Sequence, residues 1–333
     1  MADHSLHDIY SRVLPSYKKV FVVPLIRFSY PTSDYLYLLY KPFFEKDKGI
    51  EIESISALRH WKFVWQQISG RDSILHYHWL EFQDLKSMLG MVYKIACIAL
   101  LKLFGGKLIW TVHNLKPHNK KWLGMHQKMH SWMAQKSDLI LVHSKHVIED
   151  VIRYYSVSAN KIVVHAHPRF PANIIPKEKA ISKLNSKYNY SLTKDDLVLG
   201  FFGAISSYKK IPETIKLLNG EKFNGKFLVF GYIKKGEQKL DQQLREMANT
   251  YEWFNYSPGF LEEESIPVVL SAFDWFLINY EEFTTSGSFE LAHSYKRKII
   301  APKKSSILDY EGQENVFLFS DEEELKESIR RMA

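Results

Sequence analysis

The hydrophobic positions of this 333-residue chain gather into short dense runs separated by longer stretches of mixed polarity. In the first half the runs are Lys19-Val-Phe-Val-Val-Pro24, Gly49-Ile-Glu-Ile-Glu-Ser54, Ile74-Leu-His-Tyr-His-Trp79, Leu108-Ile-Trp-Thr-Val-His113, Leu139-Ile-Leu-Val-His143 and Ile162-Val-Val-His165. Their length and their content of Val, Ile and aromatic residues predict strands. Tyr35 to Phe44, Phe82 to Phe104 and Lys121 to Ser137 read as helices, the second stopped by Gly105-Gly106. The alternation restarts at Leu197-Val-Leu-Gly-Phe-Phe202, with a helix from Pro212, the run Phe227-Leu-Val-Phe230, a helix over Gln238 to Thr250, a short strand near Trp253 and a buried element from Phe273 to Asn279. Strands alternating with helices predict an α/β fold of doubly wound parallel sheets.

The stretch from Pro168 to about Lys194, rich in Pro, Lys, Ser and Asn, reads as a linker. It divides the chain into a domain over 1–170, a connection over 171–194 and a domain over 195–333. The acidic segment Asp321 to Arg331 reads as a last helix that packs back on the first domain. Two such sheets joined by a linker leave a cleft between them, and ligands of these folds sit beyond the carboxyl ends of the strands.

Composition narrows the class. A hydrophobic share of 46% with 25% charged residues is that of a globular enzyme. The single cysteine, Cys97, lies in an apolar helical run and reads as core, which excludes a disulfide framework and a cysteine-based zinc site. The net charge of +8 is uneven: residues 1–170 carry 23 Lys and Arg against 13 Asp and Glu, and the remainder 22 against 24. The basic half is where an anionic partner docks. Nucleic acid is disfavoured, because there is no Arg-rich tract and no RNA-binding signature. The first residues lack the basic and apolar regions of a cleaved signal. The longest apolar stretch, Met88 to Phe104, is interrupted by Lys94 and Lys102 and is too short and too charged to span a bilayer. The expected location is cytoplasmic, with contact at the inner face of the cell membrane.

Candidate chemistry lies at strand ends. In Glu282-Phe-Thr-Thr-Ser-Gly-Ser-Phe-Glu290 two carboxylates flank a turn between the run Trp275-Phe-Leu-Ile278 and a helix beginning near Phe289. Small residues at a helix N-terminus, here Thr285, Ser286, Gly287 and Ser288, offer backbone N–H groups and a dipole to a phosphate. The loop Phe201-Phe-Gly-Ala-Ile-Ser-Ser-Tyr-Lys-Lys210 follows a strand in the same way. Gly203 permits close backbone approach, and Lys209 and Lys210 supply point charges for a diphosphate.

The Glu-x7-Glu stretch, followed by a helix and the strand ending at Pro302, resembles the donor-site motif of GT-B glycosyltransferases. Thr111-Val-His113 is similar to a motif of the same group whose His contacts the donor sugar. His76-Tyr-His-Trp79, Val142-His-Ser144, His165-Ala-His-Pro168 and Thr285-Ser-Gly-Ser288 resemble segments of bacterial exopolysaccharide and lipopolysaccharide mannosyltransferases, without the Pro that follows the Trp there. The resemblance implies two Rossmann-like domains, the first for the acceptor and the second for the nucleotide sugar. By it, Glu290 holds the ribose, Lys209 and the Ser286–Ser288 turn hold the diphosphate, and Glu282 holds the hydroxyls of the transferred sugar. His113 orients that sugar. The family loop carries an Arg between its Gly and Lys; Ala204 to Tyr208 contain none, which leaves the leaving group to Lys209, Lys210 and the turn amides. Domain closure on the donor is expected.

Retention of configuration is the favoured outcome. An inverting enzyme needs a general base, for which Glu81 and His118 are the candidates. No Asp-x-Asp motif is present, so no metal cofactor is expected. His76 and His78 share one strand face, yet no third ligand accompanies them. His126 and His130, with Lys120, Lys121, Trp122, Lys128 and Trp132, read less as a metal pair than as a basic amphipathic surface, either a plain solvated helix face or one that meets lipid or a lipid-linked acceptor. The function expected is transfer of mannose or another hexose from a nucleoside-diphosphate sugar to a saccharide or lipid-linked saccharide in cell-surface polysaccharide synthesis. The alternatives are a sugar-nucleotide epimerase of similar fold and a non-catalytic module that binds membrane or polyanion.

Overall fold

The computed structural model describes residues 5–45, 49–82, 85–116, 122–281, 283, 284 and 286–332, with the side chains of 85 and 86 set aside. The chain divides into two compact units: Met1–Pro168 with Phe283–Thr285, and Arg169–Glu282 with Ser286–Ala333.

The first unit runs α1 (Leu6–Val13), β1 (Lys19–Val23), α2 (Tyr35–Glu45), β2 (Glu51–Ser54), α3 (Trp61–Ile68), β3 (Ile74–Tyr77), α4 (Leu85–Leu103), β4 (Lys107–Thr111), α5 (Leu123–Lys136), β5 (Leu139–Val142), α6 (Ile148–Tyr155) and β6 (Ile162–Val164). The strands form one parallel sheet in the order β2-β1-β3-β4-β5-β6. Successive strand residues face opposite sides, and each side has its own core. Phe21, Leu75, Tyr77, Leu108, Trp110, Ile140 and Val142 pack with α3, α4, α5 and α6, and Cys97 lies among them. Val20, Val22, Ile74, Ile109, Leu139, Leu141 and Val163 pack under α1 and α2, against Tyr10, Leu39 and Tyr40.

The second unit runs α7 (Lys177–Tyr188), β7 (Val198–Phe202), α8 (Ile211–Gly220), β8 (Lys226–Gly231), α9 (Gln238–Thr250), β9 (Phe254–Pro258), α10 (Ile266–Ala272), β10 (Trp275–Leu277), α11 (Gly287–Ser294), β11 (Lys298–Pro302), β12 (Val316–Phe319) and α12 (Glu322–Arg330). Its parallel sheet has the order β12-β11-β10-β7-β8-β9. Phe227, Leu228, Val229 and Phe230 of β8 are all buried, as a strand covered on both faces requires. The chain leaves β7 toward β8 and β9, then returns beside β7 as β10. That reversal makes a switch point between β7 and β10, where folds of this kind hold ligands.

Both sheets carry one lock at their amino edge. Asp138, just before β5, accepts from the Leu108 N–H at 2.7 Å and from Lys102 Nζ at 2.7 Å, while its own N–H donates to the Leu108 carbonyl at 2.8 Å. Asp274, just before β10, repeats the pattern with the Val198 N–H at 2.8 Å, Lys177 Nζ at 2.7 Å and the Val198 carbonyl at 2.9 Å.

Helices α1, α3, α6, α7 and α10 have no counterpart in the hydrophobic pattern; all but α7 are only seven or eight residues long. α7 lies inside the stretch read as a linker. Its buried apolar stripe is only Ala180, Ile181 and Leu184, in a helix otherwise made of Lys, Glu, Ser and Asn with a terminal Tyr188, and stopped by Asn189 in the left-handed conformation. It packs on α10 within the second unit, and α12 packs on β12 of the same unit. Among the described residues, no helix is long and apolar enough to cross a membrane.

Candidate functional site

Toward the carboxyl edge of the first sheet, the face under α1 and α2 changes from aliphatic to polar in strict register. Ile74 gives way to His76 and His78, Ile109 to Thr111 and His113, and Leu141 to His143. Each step is two residues, so every one of these side chains stays on the same face. Tyr10 from α1 and Tyr35 and Tyr40 from α2 cover them. The rings of His76 and His78 stack at 4.3 Å, and His113 stacks on Trp79 at 4.2 Å.

The hydrogen bonds form a nearly closed account. His76 places Nδ1 2.7 Å from both the Tyr10 and Tyr40 hydroxyls and Nε2 2.8 Å from Thr111 Oγ1. Tyr40 also reaches His78 Nε2 at 3.0 Å, and His78 Nδ1 lies 3.3 Å from His113 Nε2. His143 donates Nδ1–H to the His165 carbonyl at 2.8 Å, which leaves its Nε2 to accept from the Tyr35 hydroxyl at 3.0 Å. Burial holds all these imidazoles neutral. It pushes His76 down to about 3, and burial together with the neighbouring rings takes His78, His113 and His143 well below the usual histidine range.

With neutral rings, the orientation of one hydroxyl decides what His113 presents. If Tyr40 donates to His78 Nε2, His78 carries its proton on Nδ1, donates to His113 Nε2, and His113 presents Nδ1–H. If Tyr40 donates to His76, His78 Nε2–H donates to Tyr40, His78 Nδ1 accepts from His113 Nε2–H, and His113 presents a bare Nδ1. Both arrangements satisfy the same distances. Tyr40 and His78 therefore act on His113 as positioning residues.

The first unit also corrects the reading of α5. His126 and His130 are buried, and their Nε2 atoms face the carbonyls of Phe82 at 3.1 Å and Leu80 at 2.7 Å. They latch the segment that leaves β3 and do not belong to a solvent face. Among the described residues no group of three His, Cys, Asp or Glu is placed to hold a metal ion. Trp132 is half-buried against the core, so Trp122 and Lys128 alone of that predicted set are exposed within the described residues. Glu81 is half-buried, and its charge contributes to raising the Tyr155 phenol. Lys120, Lys121, His118, Glu282 and Thr285 lie outside the described residues.

In the second unit the switch point gathers the predicted residues of two loops. Gly203, at φ +129°, donates its N–H to the Phe230 carbonyl at 3.0 Å. A Cβ on Gly203 would stand 2.6 Å from Ser288 Oγ and 3.6 Å from Lys209 Nζ, so the glycine, the serine and the ammonium surround one point. Gly231 is equally constrained, since a Cβ there would fall 1.8 Å from the Gly203 oxygen. The loop is pinned by Glu237, which accepts from Ser206 Oγ at 2.6 Å and from the Ser207 N–H and hydroxyl at 3.0 Å each. Glu237 had no sequence signal beyond a charge in a polar stretch.

Lys209 is only 5% exposed, and among the described residues no carboxylate pairs with it. Its Nζ lies over the rings of Tyr280 at 4.6 Å and Phe201 at 5.0 Å. Burial, with a smaller contribution from Lys234, pushes it down to about 7. Lys210 differs: it takes the left-handed conformation at φ 50° and opens α8, its carbonyl accepting from the Thr214 N–H and hydroxyl. Ser286 caps α11 by accepting from the Phe289 N–H at 3.2 Å. The N–H groups of Gly287 and Ser288 belong to the first turn and have no acceptor within the helix. Glu290, one turn in, accepts from the Tyr310 hydroxyl at 2.7 Å. Burial raises it to about 7 against the lowering effect of that bond.

Two parallel six-stranded Rossmann-like sheets of these orders define the GT-B fold, and the chain has it. Solved structures share the fold over nearly the whole chain. Sucrose-phosphate synthase (tll1590) of Thermosynechococcus elongatus superposes with a TM-score of 0.69 at 13% identity, covering 95% of this chain and 89% of that one. Alr3699/HepE of Anabaena, in complex with UDP-glucose, gives 0.66 at 16% identity over 94% and 88%. The α,α-trehalose 6-phosphate synthase of Burkholderia multivorans gives 0.62 at 8% identity over 95% and 90%. At such identities the likeness is one of fold. No protein-family model matches the sequence, and no curated protein matches it.

Proposed function

We propose that the chain is a nucleotide-sugar-dependent glycosyltransferase whose second unit binds the nucleoside-diphosphate donor. The observation that carries this reading is Lys209. A buried lysine without a carboxylate is costly unless an anion completes it. Here it stands beside Gly203 and Ser288, at the first turn of α11 whose amides have no acceptor within the helix, all at a switch point. A diphosphate supplies the missing charge. Lys209 and the amides then stabilise the negative charge that develops on the leaving group, which is the main catalytic contribution.

In this reading Glu290 receives the ribose hydroxyls, and Glu282 the hydroxyls of the transferred sugar. His113 orients that sugar through Nδ1. The transferred group is mannose or another hexose, the acceptor is a saccharide or lipid-linked saccharide of a cell-surface polysaccharide, and configuration is retained. The chain works on the cytoplasmic side and needs no metal. The fold neighbours support the class, and Anabaena HepE was solved with UDP-glucose bound.

A thermal-shift panel of GDP, UDP, ADP and TDP with and without Mg²⁺ tests the donor site, because a ligand of the native state raises its stability. One diphosphate is expected to stabilise the wild type, with or without metal, and to lose its effect in Lys209→Met and Glu290→Ala. Unchanged stabilisation in both variants would remove the site assignment. Release of free sugar-nucleotide epimer in the absence of any acceptor would replace transfer by epimerisation.

A further inference from the structure

Two neighbouring helices of the first unit bury one apolar face and turn a second apolar face to solvent. On α3, Phe63 and Val64 enter the core, while Trp61, Trp65 and Ile68, spaced i, i+4, i+7, are exposed. On α4, Met91, Ile98 and Leu101 are buried, while Leu89, Val92 and Leu103 stand out at 70%, 63% and 75% exposure. The helices lie side by side. The Tyr93 hydroxyl donates to the Leu58 carbonyl at 3.4 Å beside the start of α3, and Gln67 Nε2 donates to the Phe104 carbonyl at 3.1 Å near the ends of both. The two stripes are therefore neighbours, and a patch with this much aromatic and aliphatic surface marks an interaction site.

Charge identifies the partner. No Asp or Glu occurs from Ala57 to Arg71 or from Leu85 to Ser137. The same segments carry Arg59, Lys62, Arg71, Lys94, Lys102 and Lys107. Lys62 and Lys102 are paired with Glu53 at 2.6 Å and Asp138 at 2.7 Å, whereas Arg59 and Arg71 are exposed. Glu53, Asp72 and Asp138 flank these segments, but the six cations outnumber them, so a second copy related by a two-fold axis would bring like charge against like. An anionic bilayer fits both halves of the pattern: Trp and aliphatic side chains enter the boundary of the acyl region, and Arg and Lys meet the headgroups.

We infer that the α3–α4 face docks the protein on an anionic membrane surface, in the plane of the interface. This stands apart from the proposed transfer activity, since lipid binding is read without donor or acceptor. It also differs from the α5 surface expected from the sequence.

The experiment uses the full chain and sedimentation with vesicles of pure phosphatidylcholine and of phosphatidylcholine with 30% phosphatidylglycerol, an on-the-order-of composition for an anionic leaflet. Wild type is expected to partition onto the anionic vesicles, and Trp61→Ser/Trp65→Ser/Leu103→Ser to lose about tenfold or more in partition. Trp122→Ser/Lys128→Ser, on α5, is expected to bind like wild type. Circular dichroism and the nucleotide thermal shift verify that each variant is folded. Single exposed substitutions Trp65→Ser and Leu103→Ser keep the test open should the triple variant unfold, each with a smaller loss. Brominated lipid should quench the fluorescence of wild type more than that of Trp61→Ser/Trp65→Ser. Equal binding by wild type and the α3–α4 variants, absence of wild-type binding to either vesicle, or a wild-type dimer that the triple variant abolishes would each overturn the inference.

Discussion

The carboxyl edge of the first sheet and that of the second handle buried polarity in opposite ways. The first fills the space with imidazoles and phenols that bond to one another and carry no charge. The second buries an ammonium that pairs with no carboxylate among the described residues, and half-buries a carboxyl raised to about 7. One network is nearly closed, and the orientation of its Tyr40 hydroxyl decides where the proton of His113 sits. The other is left incomplete among the described residues, and in the proposed function a diphosphate completes it. An uncharged, fully bonded network gives fixed geometry, whereas an uncompensated charge gives affinity at the expense of the stability of the free protein.

Four measurements break or sharpen this contrast. The largest effect belongs to Lys209→Met, expected to weaken nucleoside-diphosphate binding about 100-fold, or roughly 3 kcal/mol, by calorimetry, while the free protein melts no lower than wild type. An affinity within about twofold of wild type would mean that this charge does not serve the ligand.

Tyr40→Phe should act in the other direction on stability. Removing the hydroxyl takes the partner from the buried His78 Nε2, while His76 Nδ1 keeps Tyr10, and costs about 1–3 kcal/mol by denaturant unfolding. In the first unit it should also lower kcat with little change in the KM for donor, because it alters the proton on His113 and leaves the nucleotide contacts intact. Wild-type kcat in a folded Tyr40→Phe protein would separate the network from the chemistry.

Proton linkage gives the third measurement. With Lys209 at about 7 in the free protein and returned to its usual range by an anion, donor binding at pH 8 takes up about 0.9 proton, and affinity falls about tenfold between pH 6 and pH 8. Calorimetry in buffers of different ionisation enthalpy reads this directly, and Lys209→Met should abolish it.

The smallest effect concerns Glu290. Its carboxyl is raised from the ordinary range to about 7, so the folded state holds a proton that the unfolded chain has already released between about pH 4.5 and pH 7. That contribution to stability is present below about pH 4.5 and is lost as the pH rises through about 7. Glu290→Gln keeps an acceptor for Tyr310 and removes the charge, so at pH 8 it should be about 1 kcal/mol more stable than wild type, with no difference near pH 4. A lower melting temperature at pH 8 would reverse the sign argued here.

Much of this architecture was legible in the chain because parallel strands buried on both faces are written as dense apolar runs. Lys19–Val23, Ile74–Tyr77, Val198–Phe202 and Lys226–Gly231 stand where such runs occur, and α9 matches its expected span. Helix α7 was illegible for the converse reason: three buried side chains among lysines give too narrow a stripe. The placement of His113 and Gly203 just past strands, of Lys209 in the loop that follows, and of Ser288 in the first turn of α11 followed from local order alone. The partners of His113 did not, because Tyr40 and His78 meet it only across the sheet. A signal was present: His78, His143 and His165 directly follow a strand, and His113 follows one by two residues. The burial of His126 and His130 was hidden, since a histidine on a helix with lysines reads as exposed until its turn faces a carbonyl.

The paired locks of Asp138 and Asp274 sit at the end of each sheet away from the chemistry. From Leu108, which Asp138 fixes, to His113 is five residues, or about 17 Å of strand. Such a strand behaves as a measuring rod with its zero set at Asp138. A slip at the zero mark is carried undiminished to the tip, so these two aspartates govern where the working groups stand without ever meeting a substrate.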